Sequence, residues 1–286
     1  MSPNMSIRTT RRVRGTTVAR VSGTYVLLAG LSLVAVAPLV FMAVASFESG
    51  AAAQNLSAKW WPTTPTLRNY TDLFEHTRMI RWFINSTIVA VVGTFLALLT
   101  SSTAGYVFAR MNFPLRSVLF WSFVAALMIP TQVMLIPQYF LLARLDWLDT
   151  YQALILPGVT SAFGIFLIRQ YLQSIPREFE DAARVDGANE GQIYLWIMLP
   201  LMGPALATLA TIQFINYWNE FLYPLVVTNS DNMRTLPVGL ATLQTPSGGL
   251  PEVLAGTTIA LIPVLILVPW LQRYLTGGLV MGGLKG

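Results

Sequence analysis

Five acids crowd one polar stretch of this chain: Glu178, Glu180, Asp181, Asp186 and Glu190. Carboxylates at that density serve proton transfer, cation binding or charged contact with another macromolecule. The first two need converging partners. The chain has no cysteine and one histidine, His76, which stands apart from the acids. Disulfides, thiolate metal sites and thiol nucleophiles are therefore excluded, and no nucleophile is set beside a base. A solvated position in water or contact with another protein is what remains. A second group is Gln213, Asn216, Tyr217, Trp218, Asn219 and Glu220. Amides, a carboxylate and aromatic faces together bind polyols, and Gln213, Asn216 and Glu220 at i, i+3 and i+7 would share one helical face. The competing reading sets Glu220 at an interface or against a structural partner.

The elements that must position the first group read as helix, turn, helix across 174–200. Pro176 suits a first helical turn, and the acids after it lie at the positive end of the helix dipole. Phe179, Ala182 and Ala183 form a narrow apolar face, shaped to enter a groove on a partner. Asp186-Gly187 stops the helix, since glycine accepts the left-handed conformation of a helix end. Asn189 and Gln192 have the spacing of a reciprocal cap, so a second helix starts there. An ordinary solvated loop is the plain alternative.

On either side the chain is too apolar for a soluble domain. Of its 286 residues 54% are hydrophobic and 11% charged, against about 25% charged in soluble proteins. Six apolar runs, at about 25–46, 86–107, 118–142, 153–168, 201–221 and 254–271, approach the roughly 20 residues that cross a bilayer. Acids cost roughly 2.5–3.5 kcal/mol each at mid-bilayer, so 174–200 lies in water or against protein. The first run is too long for a signal peptide. With the N-terminus inside, Arg8, Arg11, Arg12, Arg14, Arg20, Arg110, Arg116, Arg169, Arg177, Arg184, Arg273 and Lys285 are cytoplasmic, twelve of the eighteen basic residues. This obeys the positive-inside rule and puts the polar stretch in the cytoplasm. It also explains the net charge of +5 without a nucleic-acid partner. The expected organisation is a basic arm at 1–24, a six-span domain at 25–275 containing the cytoplasmic loop 174–200, and a glycine-rich tail at 276–286.

Within the spans, Gly93, Ala97, Ser101 and Gly105 repeat every four residues, the pattern of close helix packing in lipid. Pro130, Pro137 and Pro157-Gly158 are expected to kink spans three and four. The outer segments 48–81, with Trp60-Trp61-Pro62, and 228–253 are too polar to insert, and the second is expected to be a loop.

The pattern Asp181-Ala182-Ala183, Asp186-Gly187-Ala188 and Leu199-Pro200 resembles the EAA loop of ABC importer permeases, with Asp181 where the family usually has Glu. Asn69-Tyr70, Asn85-Ser86, Ala109-Arg110, Phe113-Pro114, Met128-Ile129-Pro130, Ile136-Pro137, Trp218-Asn219-Glu220-Phe221 and the closing Gly282 to Gly286 are similar to the carbohydrate importers of the maltose and glycerol-3-phosphate type, in particular their smaller six-span subunit. The resemblance implies an all-α type I importer permease fold with both termini cytoplasmic in the cell membrane. It implies a heterodimer with a second permease, two ATPase subunits that hold ATP and Mg, and an extracytoplasmic solute-binding protein. It assigns Glu180, Asp181, Ala182, Ala183, Arg184, Asp186, Gly187 and Ala188 to ATPase coupling. The solute would be a sugar or polyol, alternatively glycerol-3-phosphate or a glycerophosphodiester. No GxxxxGK[ST] phosphate loop occurs, so no ATP hydrolysis and no cofactor is expected on this chain. An ion-coupled transporter, a membrane-embedded enzyme and a passive scaffold are the rival readings.

Overall fold

A computed structural model describes residues 11–49, 61–243 and 250–282, with side chains described within these ranges from Ser22 to Trp270 apart from Val268. Its described elements are helices, with one isolated bridge between Glu48 and Pro65. They are α1 (Arg11–Ala45), α2 (Arg68–His76), α3 (Met79–Arg110), α4 (Arg116–Ala126), α5 (Thr131–Arg144), α6 (Tyr151–Ile155), α7 (Ala162–Gln173), α8 (Glu178–Val185), α9 (Glu190–Leu201), α10 (Gly203–Asn219), α11 (Leu222–Val227), α12 (Leu236–Thr242) and α13 (Leu250–Gly282). Helices α1 and α13 run across the expected boundaries at 24 and 275. Beyond Gly282, the tail lies outside the described residues.

Three helical stretches, Ser22–Ala45, Met79–Arg110 and Leu250–Leu267, are long and apolar enough to cross a membrane alone. Three more crossings are bent pairs: α4 with α5 at 101°, Tyr151–Gly158 with α7 at 40°, and α9 with α10 at 73°. Six spans result if each pair counts once. Each break has a local cause. The amides of Leu127, Met128 and Ile129 tighten onto Val124, Ala125 and Ala126, and Pro130 follows in an extended conformation without an N–H to offer. Pro137 sits inside α5 without ending it. Leu156–Gly158 is a single 3₁₀ turn. The bend at Met202 lies between Pro200 and Pro204 and follows a π-helical stretch, Ile193–Met198. Such wide turns are rare and locally re-aim a helix.

Helix α3 is the axis of the bundle, packed on α7 and α10. Its small-residue stripe faces both. Ser101 abuts Gly164 of α7, Gly105 abuts Ile168, and Gly93 meets the ring of Tyr217 from α10. Gly158 takes the same ring from the other side, so a methyl at either glycine would overlap it. By contrast the apolar window of α1 buries nothing against the rest of the chain. Its Tyr25, Val26, Leu33 and Val34 face outward, toward lipid or another subunit.

The outer segments are more ordered than their composition suggests. The 228–253 stretch, expected as a loop, carries α12 because Leu236 and Leu240, four apart on one helical face, are buried in one cluster with Trp82 and Ala255 of α13, while Gly239 lies against the Trp82 ring. Asn85-Ser86 of α3 clasps this segment. The Asn85 amide donates to the Asn232 and Arg234 carbonyls at 2.8 Å and accepts from the Tyr151 hydroxyl at 2.7 Å. Ser86 Oγ accepts from the Leu236 amide at 2.8 Å. A second clasp follows α1. Asn69 Nδ2 donates to the carbonyls of Ser46 and Glu48 at 2.7 Å, and the Glu48 carboxylate accepts from the amides of Thr63 and Thr64 at 2.6 and 3.0 Å.

The Thr63 and Thr64 amides hold the Glu48 carboxyl below its ordinary value. A depressed carboxyl contributes stability that is complete above its unfolded-state pKa and is lost as pH falls through the folded-state value. The outer clasp therefore loosens on acidification below about pH 4.5. Glu48→Gln removes that pH dependence, to be read as protease cleavage of the 48–68 segment of the detergent-solubilised protein between about pH 7 and 3.

Candidate functional site

Helix α8 is short, and a helix of two turns is not stable alone in water. It is held by tertiary contacts. Ala183 is buried in one cluster with Tyr106 and Ala109 of α3, Ile168 and Leu172 of α7, and Ile193 and Met198 of α9. Glu180 lies beside it, 2% exposed. Its Oε1 is 2.7 Å from Arg110 Nε, a charge contact in which the N–H points off the line to the oxygen. Arg110 Nη2 donates to the carbonyls of Leu172 and Ile175 at 2.8 Å. One guanidinium thus closes the C-terminus of α7, where the dipole favours a cation, and anchors α8 to the last turn of α3.

Arg184 continues the network outward. It donates to Glu190 Oε1 at 3.0 Å and Asp181 Oδ1 at 3.1 Å, and approaches Glu180 Oε2 at 3.5 Å. The Glu190 hydrogen bond holds Arg184 above its ordinary pKa. Glu190 Oε2 accepts from the Tyr106 hydroxyl at 3.1 Å, and Ser102 bonds Tyr194 at 2.8 Å. Sequence reading did not pair Arg110, Tyr106, Ser102 or Tyr194 with this site. They lie on other elements, and only the fold brings them together.

The outer side of α8 is bare. Phe179, Ala182 and Val185 share its exposed face, Val185 at 88%, with Trp196 of α9 nearby in sequence at 77%. The expected face of Phe179, Ala182 and Ala183 is therefore split: Ala183 turns inward and Val185 takes its place. Pro176, expected in the first helical turn, lies two residues before the helix, since Arg177 is the cap. Gly187 has φ +87° at the helix end. The Asn189–Gln192 cap is present in both directions at 2.9 Å. Asp186, Gly187, Ala188, Gln192, Trp196 and Ile197 line an open groove of about 300 Å³.

The second candidate group divides. Trp218 is buried, stacked on Phe214 and edge-on to Phe83, and its indole N–H donates to the Ala260 carbonyl at 3.0 Å. Tyr217 lies between Gly93 and Gly158 and donates to the Ile155 carbonyl at 3.3 Å. Both side chains are committed to packing. Gln213 is buried, with Asn216 Nδ2 at 3.5 Å from its Oε1, while Asn216 and Asn219 are exposed. Glu220 is not on the helical face expected of it. Helix α10 ends at Asn219, Glu220 is extended, and its Oε1 accepts from the Tyr223 amide at 3.2 Å at the start of α11.

Residues 98–279 match the family described as binding-protein-dependent transport system inner membrane component. The chain belongs to this family. The permease is 43% identical over 227 residues to the arabinooligosaccharides transport system permease protein AraQ of Halalkalibacterium halodurans, covering 79% of this chain and 81% of that one. It is 34% identical over 200 residues to the sn-glycerol-3-phosphate transport system permease protein UgpE of Pectobacterium atrosepticum, covering 69% and 71%. Its fold matches a chain of a bacterial ABC transporter involved in the import of the acidic polysaccharide alginate, with a TM-score of 0.77 and 26% identity, across 96% of this chain and 99% of that one. The permease is thus a multi-pass membrane protein of the carbohydrate ABC importer type.

Removing one partner of a buried ion pair leaves the other uncompensated and costs about 3–5 kcal/mol, whereas replacing both by apolar groups is far cheaper. Glu180→Ala is accordingly expected to destabilise the permease by that amount, and Arg110→Met with Glu180→Leu to recover most of the loss. Thermal unfolding in detergent checks this. Equal losses in the single and double variants would show that the pair is not a unit.

Proposed function

We propose that this permease is the membrane-crossing subunit of an ATP-driven importer that moves a sugar or sugar-like polyol inward by alternating access. The observation that carries the reading is the two-sided character of α8. Its outer face is exposed, apolar and small enough to seat in a groove, while its inner face is bonded to the ends of α3, α7 and α9. A helix built so passes a push from outside into the spans instead of pivoting freely. Nucleotide closure in two separate ATPase subunits, which hold ATP and Mg, supplies the push, and this chain catalyses nothing itself. Phe179, Ala182 and Val185 enter the ATPase cleft, with Asp181, Asp186, Gly187 and Ala188 at its rim. Glu180, Ala183 and Arg184 transmit from within.

The distribution of basic residues supports a cytoplasmic α8 and cytoplasmic termini. The clasped segment 228–236 and α12 then face outward, toward an extracytoplasmic solute-binding protein, and α1 lies against lipid or a second permease in a heterodimer. The sugar assignment is supported by the arabinooligosaccharide relative, and the glycerol-3-phosphate relative keeps that substrate as the second reading. The ligand carried by the cognate binding protein distinguishes them. Asn216, Asn219 and Glu220, exposed where α10 gives way to α11, are the candidate solute contacts, with Gln213 behind them.

Gly187→Pro requires φ near −65° where the chain has +87° and removes the amide that donates to the Arg184 carbonyl at 3.1 Å. It is expected to lower ATP-driven uptake by about tenfold or more while the protein still inserts. Uptake by the complex in proteoliposomes measures this, and normal coupling would count against docking through α8. Glu220→Gln keeps the acceptor for Tyr223 but removes the charge. It and Asn216→Ala are expected to raise the KM for uptake about three- to tenfold without releasing the ATPase. Unchanged uptake kinetics would take both residues out of the path.

A further inference from the structure

Beyond the last turn of α3 the chain folds back through Asn112–Leu115 into α4, and this turn faces Arg169 of α7 across an open cavity of about 510 Å³. Phe113, Leu115, Arg116, Ser117, Phe120 and Arg169 form most of its wall. Two guanidiniums converge there on one oxygen. Arg116 donates Nε and Nη2 to the Phe108 carbonyl at 2.9 and 2.6 Å, and Arg169 Nε reaches the same carbonyl at 3.3 Å. The Arg169 guanidinium also lies 3.9 Å from the centre of the Phe120 ring. Among the described residues every ion pair uses other cations, so neither Arg116 nor Arg169 has a carboxylate. Arg116 also donates to Asn112 Oδ1 at 3.1 Å and to the Ala109 carbonyl at 3.0 Å. All these acceptors are neutral, and they compensate little of the repulsion between two half-buried like charges. The pair is arranged for an anion.

What surrounds the charges narrows the anion. Leu115, in the left-handed region at φ 61°, turns its side chain out to 70% exposure, and Val118 and Trp121 on the next turn of α4 are about as exposed. A left-handed leucine is uncommon and marks a turn held by its surroundings. The mouth is therefore bordered by exposed apolar surface at the start of α4, the first half of a bent candidate span. The first amides of α4 also carry no side-chain cap, which adds donors at the positive end of its dipole. A soluble anion would make no use of the apolar border, and an acidic segment of a partner would leave it uncovered. Basic cavities between spans at one face of a membrane recognise anionic headgroups.

We propose that this cavity binds the phosphate of an anionic phospholipid headgroup, held by Arg116 and Arg169, with the acyl chains along the exposed face of α4. The site is separate from α8 and from the solute path, and needs only that α4 borders the bilayer. The test uses the assembled complex in nanodiscs carrying a photoactivatable phosphatidylglycerol, with the labelled peptide mapped by mass spectrometry. Labelling is expected on the 113–121 segment, and is expected to fall about tenfold in Arg116→Gln/Arg169→Gln. Arg116→Lys/Arg169→Lys keeps both charges and is expected to label like the native complex, which separates loss of the site from loss of the fold. Labelling of that segment unchanged by the glutamine pair would overturn the proposal. So would its displacement by excess inorganic phosphate, or its absence from the native complex because a partner subunit covers the cavity.

Discussion

The ion pair between Arg110 and Glu180 is the contact on which the α8 end of this molecule depends. Two buried charges are a costly way to join helices, and an apolar pair would do so more cheaply. The charged pair adds direction. Arg110 has Glu180 on one side and the last carbonyls of α7 on the other, so α3, α7 and α8 meet at one group with little freedom to slide. Apolar contacts around Ala183 supply adhesion, and the guanidinium supplies register. A helix of two turns held in one orientation needs both.

The same division runs through the rest of the bundle. Small residues along α3 let α7 and α10 approach closely, and Tyr217 fills the space between Gly93 and Gly158 with its hydroxyl spent on a backbone carbonyl. Side-chain amides fix the outer ends: Asn69 after α1, and Asn85 between α3, Tyr151 and the 232–236 segment. In a bilayer, apolar burial distinguishes poorly between one helix neighbour and another, because lipid is as apolar as leucine. Hydrogen bonds and close steric fits are left to choose the arrangement. The chain also keeps much apolar surface outward on α1 and α4, where it meets lipid or other subunits.

Composition, the apolar runs and the placement of arginine were enough to read a multi-pass protein with a polar elbow between its fourth and fifth runs. The elbow's own punctuation was legible because it is local: Gly187 at the helix end and the Asn189–Gln192 cap depend on residues within one turn. Proline marked the break at Pro130, yet Pro137 lies in an unbroken helix, since the residue type permits a kink and only packing decides whether one occurs. The 228–253 stretch was read as a loop because Thr, Pro and Gly dominate it. Burial of Leu236 and Leu240 against Trp82 and α13 outweighed that preference.

By itself the sequence determined the number of apolar runs and the place of the polar elbow between them, because these follow from transfer energies and from spacing within a helical turn. The tertiary structure alone decided which acid of the elbow is buried and which faces outward. Spacing could not show that Glu180 would meet Arg110, a residue two spans earlier, or that Val185 and not Ala183 would stand on the exposed face. It also decided that Glu220 leaves the helix it was expected to extend. Such outcomes depend on contacts between segments far apart in the chain, and no local rule of helix geometry reaches that far.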